Sequence, residues 1–157
     1  MKKNSPHNRS ETGISEYRDV LELIHESSPY LPVAENTILA LHKRLLSCTE
    51  STWGGHFKDI NNQIITQYAD GSIKIRFNPP AAHITPTLIE ELCTDYNEAQ
   101  QLNKFPTILL CGAFIFDLVS IHPFRDGNGR MSRLLMLLTL YQSKFDVGKY
   151  ISIEALI

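Results

Sequence analysis

Apolar residues at Ile14, Tyr17, Val20, Leu21 and Ile24 recur at helical spacing and mark one face of a first helix. Ser27-Ser28-Pro29 breaks it. Pro32 suits the first turn of a second helix, whose stripe is Ile38, Leu41 and Leu45. The period then changes. Trp53-Gly54-Gly55 reads as a loop, and residues 63–68 and 73–77 are β-prone runs around Asp70-Gly71, which predicts a type I′ hairpin. One hairpin cannot build a sheet core, so it should lie on the surface of a helical body. After Asn78-Pro79-Pro80, Thr85-Pro86 reads as the N-cap and first residue of a third helix, with Leu88, Leu92, Tyr96 and Ala99 inward. Pro106 opens a fourth helix that runs through Ile121. It is apolar on nearly all sides, which predicts the buried central helix. A fifth spans about 128–143, with Leu134, Leu135, Leu138 and Tyr141 as its core face. Gly148 punctuates the chain, and residues 152–157 look like the start of another helix. The class is mostly α, a helical bundle carrying one β-hairpin.

Length and composition narrow this. The chain has 157 residues, enough for one domain with its own core. Residues 1–12 are polar and read as a flexible segment, which leaves 13–157 as the domain. Hydrophobic residues are 43% and charged residues 20%, which excludes a disordered chain. A net charge of -2 and a pI near 6.3 give no basic face for nucleic acid, so any phosphate binding must be local. Cys48, Cys93 and Cys111 are odd in number and form no CxxC pair, which speaks against a disulfide framework or a zinc site and points to a reducing cytoplasm. No signal peptide and no membrane-spanning run is visible. His7, His25, His42, His56 and His83 show no metal spacing and read as surface or helix residues.

The candidate chemistry lies between the fourth and fifth helices, in His122-Pro123-Phe124-Arg125-Asp126-Gly127-Asn128-Gly129-Arg130 with Arg133 behind it. Pro123 disfavours a helical His122, so the helix should end there and present the imidazole to a loop. Gly127 and Gly129 permit positive φ and close approach of the backbone to a ligand. Free N–H groups in such a turn, together with a helix N-terminus, favour an anion. Arg130 and Arg133 are three apart and share a helix face, where their guanidinium forks suit phosphate oxygens. Cations at a helix's first turns are disfavoured by its dipole, which favours a bound anion over casual surface pairing. Asp126 is the loop's one carboxylate and suits Mg²⁺ bridging phosphates, although Asp can also serve as a turn or capping residue. The Asn128 amide can position a phosphate, Phe124 should pin the loop to the core, and Arg125 reads as a solvent- or substrate-side residue. Met131 and Met136 read as core fillers.

This run resembles the signature H-x-F-x-[DE]-G-N-G-R-x-x-R of the Fic family at every specified position, and the likeness extends over about 17–157. The resemblance implies a Fic-type helical bundle whose hairpin is a flap, and a protein adenylyltransferase. His122 would be the general base. Asp126, Gly127, Asn128, Gly129, Arg130 and Arg133 would bind ATP, with Mg²⁺ on Asp126 and the terminal phosphate on Arg133. Ile73, Lys74, Ile75, Arg76 and Phe77 would dock a target protein by strand addition. AMP would pass to a Ser, Thr or Tyr hydroxyl. Relatives that move UMP, phosphocholine or phosphate, and a non-catalytic nucleotide-binding module, are the alternatives. The kinase-like branch has Ala and Lys where this chain has Gly127 and Gly129, which favours AMP. The resemblance leaves room for a homo-oligomer and implies neither nucleic-acid nor membrane partners. Many relatives carry an inhibitory [ST]-x-x-x-E-[GN] whose Glu pairs with the second motif Arg. The nearest match here, Thr12 to Glu16, is followed by Tyr17. The expectation is an unobstructed site with Arg133 free, on a chain that reads as a piece of a longer protein at both ends.

Overall fold

The computed structural model describes residues 9–49 and 52–145. Within them the body consists of α1 (Arg9–Ser27), α2 (Glu35–Leu45), β1 (Ile64–Gln67), β2 (Ile73–Phe77), α3 (Thr85–Leu102), α4 (Thr107–Ile121) and α5 (Asn128–Gln142). The architecture is mostly α, with one antiparallel two-stranded sheet, as the hydrophobic periods indicate. Among the described residues no helix is long and apolar enough to cross a membrane.

The start of the chain departs from expectation. α1 begins at Arg9, inside the segment read as flexible, and Ile14 is exposed, so the buried face starts one turn later with Glu16, Val20 and Ile24. Residues 1–8, Gly148 and the helix start at 152–157 lie outside the described residues. Pro32 is not in the first turn of α2, which opens at Glu35 with Ala34 as its cap. The link before it is one 3-10 turn at Ser28–Tyr30 and then chain extended at Leu31 and Ala34, and remote side chains tie down its carbonyls. Gln142 Nε2 donates to the Ser28 and Leu31 oxygens, and Asn97 Nδ2 donates to the Val33 oxygen (2.8 Å). In α3, Thr85 lies inside the helix and Ile84 is the cap. The Thr85 hydroxyl donates back to Ala81 O (3.2 Å) and does not cap the helix. Its buried line is Ile89, Cys93 and Tyr96, with Leu88 and Leu92 packed at the flank.

The buried central helix is α5, not α4. Met131, Leu134, Leu135, Leu137, Leu138 and Leu140 are all buried in α5, which packs against α1, α2 and α4. α4 buries Cys111, Phe114, Leu118 and Ile121 against α3 and α5 but exposes Ile108, Leu109, Phe116 and Val119. Apolarity on all sides does not say how many sides have neighbours. Here the neighbour count is set by topology, and α4 has partners on one side only among the described residues.

The hairpin pairs Ile65 with Ile75 and Gln67 with Ile73, with a bulge between Ile64 and Ile65. Its turn is not type I′, which needs positive φ at both Asp70 and Gly71. Only Gly71 has it (φ 83°). Asp70 Oδ1 accepts from the Ser72 N–H (2.8 Å) and hydroxyl (2.6 Å), a local Asx bond. The loop is therefore three residues closed by Tyr68 N–H to Ser72 O (2.9 Å), with Gly71 at the left-handed position of the bulge.

Candidate active site

α4 stops where the sequence places its stop. The His122 N–H still bonds Leu118 O (3.1 Å), but its own φ and ψ are 50° and 62°, in the left-handed region. Such a conformation costs a non-glycine residue about 1–2 kcal/mol, although His is among the side chains found there more often than most. The turn that follows is anchored by Phe124, which is fully buried. Its ring stacks on His42 at 3.7 Å between centroids. The Asn128 amide takes the Phe124 backbone on both sides, accepting its N–H (2.9 Å) and donating to its oxygen (2.8 Å). Both polar atoms of Asn128 thus already have backbone partners, so its side chain shapes the loop and is not turned toward a phosphate.

Gly127 caps α5 at φ 82°, and a Cβ there would lie 3.5 Å from His42 Nε2. Gly129, by contrast, is ordinary helix. What it provides is space, since a Cβ there would meet nothing within 4 Å. The Gly127 N–H bonds the Asp126 carboxylate (2.6 Å). The first intrahelical bond of α5 is Met131 N–H to Gly127 O (2.8 Å), which leaves the N–H groups of Asn128, Gly129 and Arg130 without helical partners. The anion-favouring amides are therefore one residue further on than the glycine spacing suggests.

A cleft of about 360 Å³ is lined by His122, Arg125, Asp126, Gly127, Asn128, Gly129, Arg130 and Arg133. All the nucleotide-site residues expected from sequence meet in it. The hairpin residues Ile73, Lys74, Ile75, Arg76 and Phe77 do not line it, and all five are exposed. Asp126 is mostly exposed and stands 3.4 Å from Arg130. Arg130 also approaches α1, where a Cβ on Gly13 would lie 3.7 Å from its guanidinium. Arg133 is exposed and has no ion pair among the described residues. Glu16, one half of the nearest inhibitory match, turns elsewhere: its Oε1 accepts from the Cys48 N–H. Arg125 pairs with Asp59 and lies over the Trp53 ring at 5.5 Å.

The imidazole of His122 is held below the ordinary histidine pKa, chiefly by burial and further by the Lys58 ammonium. The Val119 carbonyl acts the other way. Nδ1 is buried and has no hydrogen-bond partner among the described residues. Burial and the Lys58 charge thus favour the neutral ring, the state a base needs.

Three residues that matter for this geometry were missed. His42, read as a surface or helix residue, is on α2 but fully buried. Its Nδ1 accepts from the Gly55 N–H (3.1 Å), so Nε2 carries the proton and donates to Asp126 O (3.0 Å). Burial lowers its pKa most, with Arg130 and His56 adding to this and the Asp126 carbonyl and carboxylate opposing it. Lys58 is also buried. Its N–H bonds Pro123 O (2.8 Å), and its Nζ bonds Ile121 O (2.9 Å) and Asn62 Oδ1 (3.0 Å). Asn62 Nδ2 bonds the His122 and Phe124 oxygens (3.2 Å each). His42 lies at the helical spacing of the Ile38, Leu41 and Leu45 stripe, so the period of α2 could have marked it as inward, whereas no periodicity or motif marks Lys58 or Asn62.

The family model of the Fic/DOC family matches residues 32–140. Proteins named protein adenylyltransferase Fic from Drosophila mojavensis and Drosophila willistoni are 33% and 30% identical over 108 and 115 residues, or 69% and 73% of this chain. Those matches span 19% and 21% of the two fly proteins, so the chain corresponds to about a fifth of their length. A Fic domain containing signalling protein from Bacteroides thetaiotaomicron has the same fold. Its TM-score is 0.74 at 24% identity, over 91% of this chain and 52% of that one.

Proposed function

The chain belongs to the Fic/DOC family, and from that premise we propose that it is a protein adenylyltransferase, moving AMP from ATP to a Ser, Thr or Tyr hydroxyl of another protein. The observation that carries this is one cleft lined by the His122 imidazole, by the start of α5 with three amides that have no helical partner, and by two guanidinium groups. That set matches a base plus a polyphosphate and little else.

His122 takes the proton of the target hydroxyl as its oxygen attacks the α-phosphorus of ATP. The new O–P bond forms while the bond from the α-phosphorus to the bridging oxygen breaks. Pyrophosphate leaves, AMP stays on the target, and His122 gives its proton to solvent. The amides of Asn128, Gly129 and Arg130 receive phosphate oxygens, and Arg133 holds the terminal phosphate. The reaction would use Mg²⁺. Asp126, open to the cleft, would hold that Mg²⁺, which when bound neutralises phosphate charge. The exposed β2 edge would take an extended target segment as an added strand.

The test is incubation with Mg²⁺, a cell lysate and ATP labelled at either the α- or the γ-phosphate, with mass spectrometry of labelled proteins. The expected result is protein-bound label from the α position only, lost in His122→Ala. Retention of γ label would make the reaction a phosphate transfer. A clear preference for UTP or CTP over ATP would reassign the nucleotide.

A further inference from the structure

Four successive carbonyls around the base, those of Ile121, His122, Pro123 and Phe124, all accept hydrogen bonds from one short stretch of chain about sixty residues away. The Lys58 side chain takes the first, the Lys58 backbone the third, and Asn62 the second and fourth, while Lys58 Nζ also holds the Asn62 oxygen. We propose that Lys58 and Asn62 are positioning residues for the transfer reaction: together they fix the left-handed turn at His122 and so set where its imidazole meets the cleft.

Two features separate this from ordinary packing. Lys58 is 3% exposed and has no carboxylate partner among the described residues; its ammonium bonds only neutral oxygens. Burying a cation this way is costly, and a Met or Leu of similar volume would pack the same space more cheaply. The charge is retained next to a residue whose own backbone is strained, and strain persists only where the surroundings over-determine it. The second feature is electrostatic. The charged groups near His122 are Lys58 on one side, Arg125 and Asp126 in the loop, and Arg130 and Arg133 from α5. Lys58 is the cation whose place is fixed by buried bonds; burial lowers its own pKa, and while protonated its charge opposes an imidazolium at His122.

The inference rests on the transferase reading, but one arm of its test does not need turnover. In the whole chain, the His122 ring proton is followed by NMR through a pH titration, and kcat and the KM for ATP are measured separately. Lys58→Met keeps the length and removes the donors and the charge. It is expected to move the His122 midpoint upward and to lower kcat about 10–100-fold, the scale of a small misplacement, with KM for ATP unchanged within about twofold. Lys58→Arg retains the charge and donors and should keep the wild-type midpoint and most of kcat. Asn62→Ala should lower kcat while leaving the midpoint in place, because the ammonium stays. A folded Lys58→Met protein with wild-type midpoint and kcat overturns the proposal, as does a folded Asn62→Ala protein with wild-type kcat. Should Lys58→Met not fold, Asn62→Ala and Lys58→Arg decide. Should the wild type transfer nothing, the transferase reading fails and the NMR arm decides on geometry: His122 ring shifts displaced at high pH in folded Asn62→Ala support the clamp, and shifts matching wild type overturn it.

Discussion

At the scale of single residues, His122→Ala should lower transfer by roughly 10²–10⁴-fold and leave ATP affinity nearly unchanged, since the proposed phosphate contacts are the α5 amides and Arg133 rather than the imidazole. Equilibrium binding and single-turnover assays on the same protein check both halves, and an equal loss in each would remove His122 from the role of base. The rate should also depend on pH in a set direction. The pH dependence of kcat/KM reports groups of the free enzyme, so with the His122 pKa lowered chiefly by burial its acid limb should fall at a lower pH than an unperturbed histidine would give. A pH–rate profile with its acid limb above 6.5 would contradict this. Arg133→Ala should raise the KM for ATP more than it lowers kcat, since its guanidinium is open to the cleft and unpaired among the described residues. These residues were legible in the sequence because they lie within twelve positions of one another, where spacing alone fixes which can share a space. Asn128 shows the limit of that logic. Its place was legible but not its orientation, which is set by the Phe124 backbone.

At the scale of elements, the identification of α5 as the central helix has a direct consequence. Leu138→Ala, at a fully buried position, should destabilise the protein by about 2–5 kcal/mol through lost contacts and the cavity left behind. Phe116→Ala, at a site 72% exposed on α4, should change stability by about 0.5 kcal/mol or less. Urea denaturation of the two variants tests this, and a larger loss for Phe116→Ala would restore α4 to the centre. Four of the helices were readable from apolar positions at a period near 3.6, and α4 from an apolar run that Pro106 opens and Pro123 stops. What could not be read was which face has a neighbour, because that depends on where the other helices run. The turn at Asp70-Gly71 failed for a local reason. The dipeptide fits two hairpin turns, and the choice between them was made by Ser72 offering two donors to Asp70.

At the scale of the whole molecule, the turn at His122 is held by two remote pieces and one local side chain. His42 of α2 takes the Asp126 carbonyl, residues 58–62 take the carbonyls of 121–124, and Asn128 takes Phe124. The site's shape is therefore coupled to global folding, and one of the struts is titratable. His42 works only as the neutral ring, because protonating Nδ1 would set a second N–H against the Gly55 N–H. Its folded pKa lies below the ordinary 6.5 because of burial, and that of His122 lies below it for the same first reason. The sign follows from proton counting. Between the lowered folded values and 6.5 the unfolded chain binds protons that the folded chain does not, so stability rises with pH in that window. The stabilisation is fully present above about pH 6.5 and is lost as pH falls through it, at no more than about 1.4 kcal/mol per pH unit for each group. Thermal or urea unfolding of the metal-free protein from pH 7.5 to 5 should show this decline. His42→Gln should be less stable at pH 7.5 but show a shallower slope, since one of the two responsible groups is gone. A wild-type stability that stays flat or rises toward pH 5 would mean that neither ring is kept neutral by the fold, and would take His42 out of the support for the catalytic turn.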